Sequence, residues 1–310
     1  MSELEEQGMP LEGGVASDVR VIDSPQGTLV IKKALPKLKV AAEWFSDPAR
    51  SMIEVAAIEA FGSLGGRETV PEIVWVRPDE HCFAMRLVDP RLRNWKSDLI
   101  AGRIDLVTAA RVGEILGAFH RNSALRPDLA RPFNDLRFFR ELRIEPFFDH
   151  VAMRRPELGQ RIGAVATAML ARREALVHGD YSPKNILADG QDVVILDFEV
   201  THWGDPRFDI GFCLAHLILK SALRNGHPGL IGAAIGAFLG AYDKAGLPAL
   251  DAGLANITGC LLLARLFGKS PADYLDRLDT RAVEDKALAL LDLSRMPSPS
   301  DFFIFPEQHS

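Results

Sequence analysis

Two short stretches concentrate the chemically useful side chains of this chain: His178-Gly179-Asp180-Tyr181-Ser182-Pro183-Lys184-Asn185 and Leu196-Asp197-Phe198-Glu199. Asp180 follows the apolar run Ala175-Leu176-Val177, Asn185 stands five residues later, and Asp197 closes the apolar run Val193-Val194-Ile195-Leu196. Two carboxylates and an amide on neighbouring strand ends suit the movement of a phosphoryl group from Mg-ATP to a hydroxyl. The transition state of that reaction is loose and highly charged, so the protein must orient a nucleophile and hold metal ions over the phosphates. On this reading Asp180 accepts the hydroxyl proton. Asn185 offers a neutral oxygen and Asp197 an anionic one to Mg²⁺, an ion that takes a few hard oxygens together with water and phosphate. Glu199 is a further metal contact, direct or through water. Either piece alone is common as plain structure, since an aspartate in a turn often only shapes the turn. The joint pattern, with the hairpin turn Asp189-Gly190 between its halves, carries the reading.

These residues resemble the aminoglycoside phosphotransferase superfamily, small-molecule kinases of protein-kinase-like fold that include choline and methylthioribose kinases. Its H-G-D-x-x-x-x-N loop and D-x-E or D-x-D metal motif are matched by His178, Gly179, Asp180, Asn185, Asp197 and Glu199, and the likeness continues through Gly204-Asp205-Pro206 and Phe208-Asp209-Ile210-Gly211. In the N-terminal half, Ile31-Lys32-Lys33-Ala34-Leu35-Pro36 and Arg50-Ser51-Met52-Ile53-Glu54 look like methylthioribose kinases in particular. The chain departs from those enzymes at Asn185 and is shorter, which argues against methylthioribose as the acceptor. The resemblance implies an α+β, two-lobe fold with a small β-rich N-lobe (residues 1–88) and a larger, mainly helical C-lobe (89–310). It also implies ATP and Mg²⁺ as cofactors and a small-molecule hydroxyl as substrate. Lys184 is then a candidate to neutralise charge on the transferring group, with a solvated lysine as the plain alternative, and His178 is expected to pack beneath the loop and fix it.

Elements must position these groups. Val15 to Ile22 and Thr28 to Lys33 alternate like strands around Pro25-Gln26-Gly27, which predicts a hairpin. Gly13-Gly14 just before it is a candidate phosphate-covering loop. Lys32 is placed to reach inward toward the phosphates, and Lys33 points the other way because strand side chains alternate. Residues 47–61 have helical character with Pro48 in the first turn; Glu54 there is the expected partner of Lys32, with Glu59 competing. Strands at Ile73–Val76 and Cys82–Leu87 lead to a connection near Val88-Asp89-Pro90, where Met85 and Leu87 are candidates to line the adenine. From Ile104 the apolar spacing turns helical, and His120 reads as a packed, hydrogen-bonded histidine. Further helices are expected near 158–173, 210–223, 229–245, 251–267 and 281–294, with Asp209 capping the second of these and bonding the catalytic-loop backbone.

Composition narrows the class. The 310 residues are 47% hydrophobic and 25% charged with a net charge of −6, an ordinary globular balance that lacks the basic footprint of a nucleic-acid-coating protein. Cys82, Cys213 and Cys260 are scattered, which suggests neither a disulfide framework nor a zinc knuckle. The start, Met1-Ser2-Glu3-Leu4-Glu5-Glu6, is acidic rather than signal-like, and the apolar run from Leu230 to Tyr242 is short for a membrane span; a cytoplasmic protein without a membrane partner is expected. The short Asp197-to-Asp209 segment leaves little room to dock a polypeptide, so a small molecule is favoured over a protein substrate. A catalytically silent nucleotide-binding module of the same fold and a protein kinase are the alternatives. From Gly211 onward nine Lys and Arg face ten Asp and Glu, no acidic rim for a polycation. Arg265 and Lys269 are candidates to bind an anionic or sugar substrate, or simply to close a helix end.

Overall fold

The computed structural model describes residues 8–11, 16–39, 43–245 and 250–303. Its first part is a five-stranded antiparallel sheet built from β1 (Met9–Pro10), β2 (Ser17–Ser24), β3 (Gly27–Ala34), β4 (Ile73–Arg77) and β5 (Cys82–Arg86), in the order β1-β2-β3-β5-β4. The expected hairpin joins β2 to β3, with Ser24 opposite Gly27, and Gly27 takes the positive φ of 101° that closes it. Strand alternation sorts the side chains of β3. Leu29 and Ile31 join Cys82 and Ala84 in a small apolar cluster on one face, which sends Lys32 to the opposite face. There α1 (Arg50–Gly65) packs, carrying Glu54. The helix begins three residues later than the sequence suggests, because Asp47 turns back to accept from the Ala49 N–H and Pro48 falls before the first regular turn.

The larger remainder is mainly helical. β6 (Arg93–Asn94) leads into α2 (Trp95–Ile100) and α3 (Leu106–Ala124), the latter capped by Asp105, whose side chain accepts from the N–H groups of Val107 and Thr108. The run α4 comprises Arg137–Phe139, a π-helical stretch Arg140–Asp149, and His150–Arg154. The hydrophobic pattern does not single it out, since Pro146 stands inside it and has no N–H to bond the preceding turn. α5 (Pro156–Ala171) delivers the chain to β7 (Ala175–Val177), then β8 (Ile186–Asp189), β9 (Asp192–Ile195) and β10 (His202–Gly204). β6, β8 and β9 form one small sheet, and β7 pairs with β10. The helices α6 (Arg207–Ser221), α7 (Pro228–Lys244), α8 (Ala252–Phe267) and α9 (Thr280–Leu291) complete the fold, close to the expected ranges.

The two parts share a core. Phe61 of α1 stacks on Phe119 of α3 and meets Phe198 edge-on at 4.5 Å between ring centres. Among the described residues no helix is long and apolar enough to cross a membrane. Cys82, Cys213 and Cys260 are all buried, as small apolar residues would be.

Candidate active site

Asp180 lies in the loop after β7, whose three residues are all buried. The turn depends on Gly179: its φ is 79°, and a Cβ there would stand 2.7 Å from the Val200 carbonyl oxygen. His178 fixes the loop from below. Its Nδ1 accepts from the Asp180 N–H at 3.1 Å, so the ring proton sits on Nε2 and is donated to the Leu196 carbonyl, also at 3.1 Å. Burial holds this imidazole below its ordinary pKa, in keeping with a neutral ring.

Asp209 also supports the loop, though not as a cap. α6 starts three residues earlier than expected, where Asp205 accepts from the Arg207 N–H. Asp209 therefore sits inside the first turn. Its carboxylate accepts from the N–H groups of His178 and Gly179 at 2.7 and 2.8 Å and meets His120 Nε2 at 3.1 Å. His120 in turn bonds the Tyr242 hydroxyl at 2.8 Å, so it is the packed histidine that its setting in the sequence suggests.

Around Asp180, the Asn185 amide donates to its carboxylate at 2.7 Å and to its backbone carbonyl at 3.0 Å, which leaves the amide oxygen as the remaining polar atom of Asn185. Lys184 Nζ stands 3.4 Å away on the same carboxylate, and the Asn94 side chain pins the Lys184 carbonyl at 2.7 Å. Arg143 completes the set: it donates to the Gly179 carbonyl at 2.7 Å and pairs with Asp180 at 3.0 Å. Sequence reasoning missed Arg143, because nothing in a helical arginine 37 residues before Asp180 marks it; only the fold of α4 brings it there.

The second carboxylate group gathers around Lys32. Its ammonium bonds Glu54 at 2.8 Å and Asp197 at 2.5 Å. Asp197 adopts a left-handed backbone with φ of 69°, tolerated by Asp better than by most residues. Burial would raise the Asp197 pKa, but Lys32 and then Lys184 outweigh it and hold the carboxyl below its usual range. Burial lowers the affinity of Lys32 for its proton, yet Asp197, Glu54 and Glu199 together keep it firmly protonated. Burial pushes Glu54 up to about 7 against the pull of Lys32. Glu59, the competing candidate, is exposed and bound to Arg67.

Glu199 accepts from Arg50 at 2.9 Å. Arg50 is fully buried and also donates to the carbonyls of Ala16, Leu35, Ser46 and Asp47. It ties the start of β2, the end of β3 and the entry to α1 to the segment after Asp197. Sequence reasoning quoted Arg50 only inside a motif; the visible signal was its spacing of four residues before Glu54, one helical turn along the same face.

The remaining candidates divide. Gly13 and Gly14 lie outside the described residues. Met85 is half-buried against the core, while Leu87 is exposed and borders an open groove of about 410 Å³ with Glu72, Val88 and Val194. Arg265 donates to the carbonyls of Ser270 and Pro271 just past α8, and Lys269 is exposed.

Comparison with known proteins agrees with this architecture. Residues 8–252 match the model of the phosphotransferase enzyme family. Among curated relatives, methylthioribose kinase of Bacillus velezensis is 26% identical over 313 residues, covering 84% of this chain and 78% of that one. Methylthioribose kinase of Geobacillus kaustophilus is 25% identical over 236 residues, covering 66% and 57%. Methylthioribose kinase 2 of Oryza sativa is 23% identical over 237 residues, covering 67% and 55%, so the chain spans little more than half the length of several such relatives. Two solved structures share the fold: a choline/ethanolamine kinase family protein from Mesorhizobium loti (TM-score 0.51, 17% identity, 97% of this chain and 92% of that one) and amicoumacin kinase hAmiN (TM-score 0.57, 13% identity, 93% and 82%). With its sheet, its helical remainder and its H-G-D loop in this arrangement, the chain belongs to the phosphotransferase enzyme family, within the aminoglycoside phosphotransferase and choline kinase superfamily.

Proposed function

We propose that the protein transfers the γ-phosphoryl group of Mg-ATP to a hydroxyl group of a small molecule, with the lobes divided near residue 88. One observation carries this reading: Lys32 on the sheet bridges Glu54 on α1 and Asp197 after β9, the lysine–glutamate and aspartate arrangement that phosphoryl transfer requires. Three carboxylates, Glu54, Asp197 and Glu199, offer oxygens within 4.8 Å of one another. That gathering of hard oxygens suits a divalent cation. Asp197 and Asn185 would hold it, with the Glu199 oxygen not engaged by Arg50 as a further contact. When bound there, Mg²⁺ would supply positive charge to offset the negative charge that develops on the transferred group.

The chain's own residues account for the rest. Lys32, oriented by Glu54, reaches the nucleotide phosphates. Asp180, held by Asn185 and Arg143, orients the acceptor hydroxyl and takes its proton, and Lys184 offsets negative charge on the transferring group. Amicoumacin kinase hAmiN, which shares the fold, has been solved with AMP-PNP, Ca²⁺ and Ami, which supports a nucleotide and a divalent cation in this cleft. Completeness of the set Lys32, Glu54, Asp180, Asn185 and Asp197 disfavours a silent module. Only eleven residues separate Asp197 from Asp209, which disfavours a peptide acceptor. The test is mass spectrometry of a small-metabolite extract incubated with MgATP and either the protein or its Asp180→Asn variant. A phosphorylated product formed by the wild type alone is expected; phosphorylated peptides from a peptide library, with no small-molecule product, would overturn the reading.

A further inference from the structure

One face of α6 runs away from the catalytic loop and carries an unusual set of groups. Asp209, Phe212, His216 and Lys220 follow one another at three- and four-residue spacing, so they share that face. The face spans roughly 16 Å at 1.5 Å per residue. It begins under Asp180, since Asp209 bonds the loop amides and Arg143, which pairs with Asp180, lies over the Phe212 ring. It ends at Lys220, which is 1% exposed.

The Lys220 ammonium has only neutral partners among the described residues, the His216 carbonyl and the Tyr274 hydroxyl, both at 3.1 Å. Lys96, from α2, lies over the same Tyr274 ring, 5.6 Å from its centre, and its single carboxylate partner is Asp273. Among the described residues Arg265 bonds carbonyls and no carboxylate. Among the described residues Asp273 is thus the one carboxylate paired with any of these three cations, with Asp180 acting on Arg265 through space, whereas buried charges in proteins are normally paired. The four charges that weigh most on His216 are all positive: Lys220, Arg265, Lys184 and Lys96. Burial, then Lys96 and Arg265, pulls Lys220 down to about 7, as expected of an ammonium without its anion. Three polar atoms here are buried without a hydrogen-bond partner: His216 Nδ1, Arg265 Nε and, on the catalytic loop itself, Ser182 Oγ.

We infer that the acceptor alcohol carries an anionic group, a carboxylate or a phosphate, received by Lys96, Lys220 and Arg265 while its hydroxyl lies at Asp180. This rests on the phosphotransferase reading above and narrows its substrate class. Lys96 and Lys184 are partly exposed, whereas Lys220 and His216 are buried. The polarity is the reverse of what a polycationic or quaternary-ammonium acceptor needs.

The experiment has two stages, so that the two readings fail separately. Calorimetric titration with a non-hydrolysable MgATP analogue comes first; absence of binding sinks the kinase reading and this inference with it. The analogue-saturated protein is then titrated with a matched set of alcohols: glycerol 3-phosphate, glycerate, glycerol and choline. Binding of one or both anions in preference to glycerol and choline is expected, and the two anions distinguish phosphate from carboxylate. Lys220→Met and Lys96→Met should each weaken the anion about tenfold, the scale of one lost charge contact, with analogue affinity unchanged. The inference is overturned, with the kinase reading left standing, if glycerol or choline binds as well as the anions, if no anion binds, or if both variants bind the anion as tightly as the wild type does. Lys96 is part-exposed on a short helix, so its variant keeps the test valid should the buried Lys220→Met fail to fold.

Discussion

At the scale of single residues, two similar carboxylates stand in different settings, which the proposed function assigns to acceptor and nucleotide. Asp180 is held by an amide and an arginine, whereas Asp197 is bound to Lys32. Asp180→Asn should therefore lower single-turnover phosphoryl transfer by more than the ~10²–10⁴ of an ordinary acid–base deletion, since positioning is lost as well, and leave MgATP affinity intact by calorimetry. Asp197→Ala should weaken MgATP binding. Equal loss of nucleotide affinity in the two variants would contradict this division. Arg50 belongs at the same scale. Arg50→Met leaves Glu199 buried without its cation, which costs about 3–5 kcal/mol when a buried pair is broken. The double variant Arg50→Met with Glu199→Gln should recover part of that in urea unfolding, because the stranded charge is gone; a strictly additive double variant would show that the pair is not coupled.

Among elements, the catalytic loop is shaped by what lies under and beside it more than by its own sequence. α6 supplies Asp209 to two loop amides, α4 supplies Arg143 to the loop carbonyl, and the segment before β10 presses Val200 against Gly179. Gly179→Ala places a methyl 2.7 Å from a backbone oxygen at a φ of 79°. It should cost about 1–3 kcal/mol for the strained backbone alone. The clash should also displace Asp180, so turnover should fall while MgATP affinity holds. Unchanged turnover at an unchanged melting temperature would mean that the loop adjusts freely. The late start of α1 and the early start of α6 have the same kind of origin: Asp47 and Asp205 each accept from an N–H two residues on, and these local bonds set where the regular turns begin.

Across the whole molecule, burial of neutral histidines couples stability to acid. His202 is buried, bonds the Val200 carbonyl and stacks on Phe139, and burial pulls its pKa down to about 4. The unfolded chain takes a proton near 6.5, and the folded one resists until about pH 4. Stability from this group is therefore complete above pH 6.5 and is lost as pH falls from there to about 4, by about 3 kcal/mol. His178 and His216 shift in the same direction. Urea unfolding across pH 4 to 7 should show this decline, and His202→Phe should flatten it; identical slopes would mean that His202 is charged in the folded state.

The sequence alone carried the H-G-D loop, the strand-end Asp197, the inward lysine and most of the helices. Each rests on short-range patterns: alternation along a strand, three-to-four spacing along a helix, and polar residues at fixed offsets within one turn. Glu54 over Glu59 as the partner of Lys32, Arg50 on Glu199, Arg143 on Asp180, and the cations gathered around Lys220 were decided only by tertiary packing. Their partners lie from 22 to 149 residues away, and which of several candidates becomes buried and paired depends on how the elements close on one another. The departures in helix limits are likewise set by side-chain to backbone bonds that periodicity does not record. Proline 146 makes the same point, for it sits within a helix whose continuity depends on neighbours rather than on its own sequence.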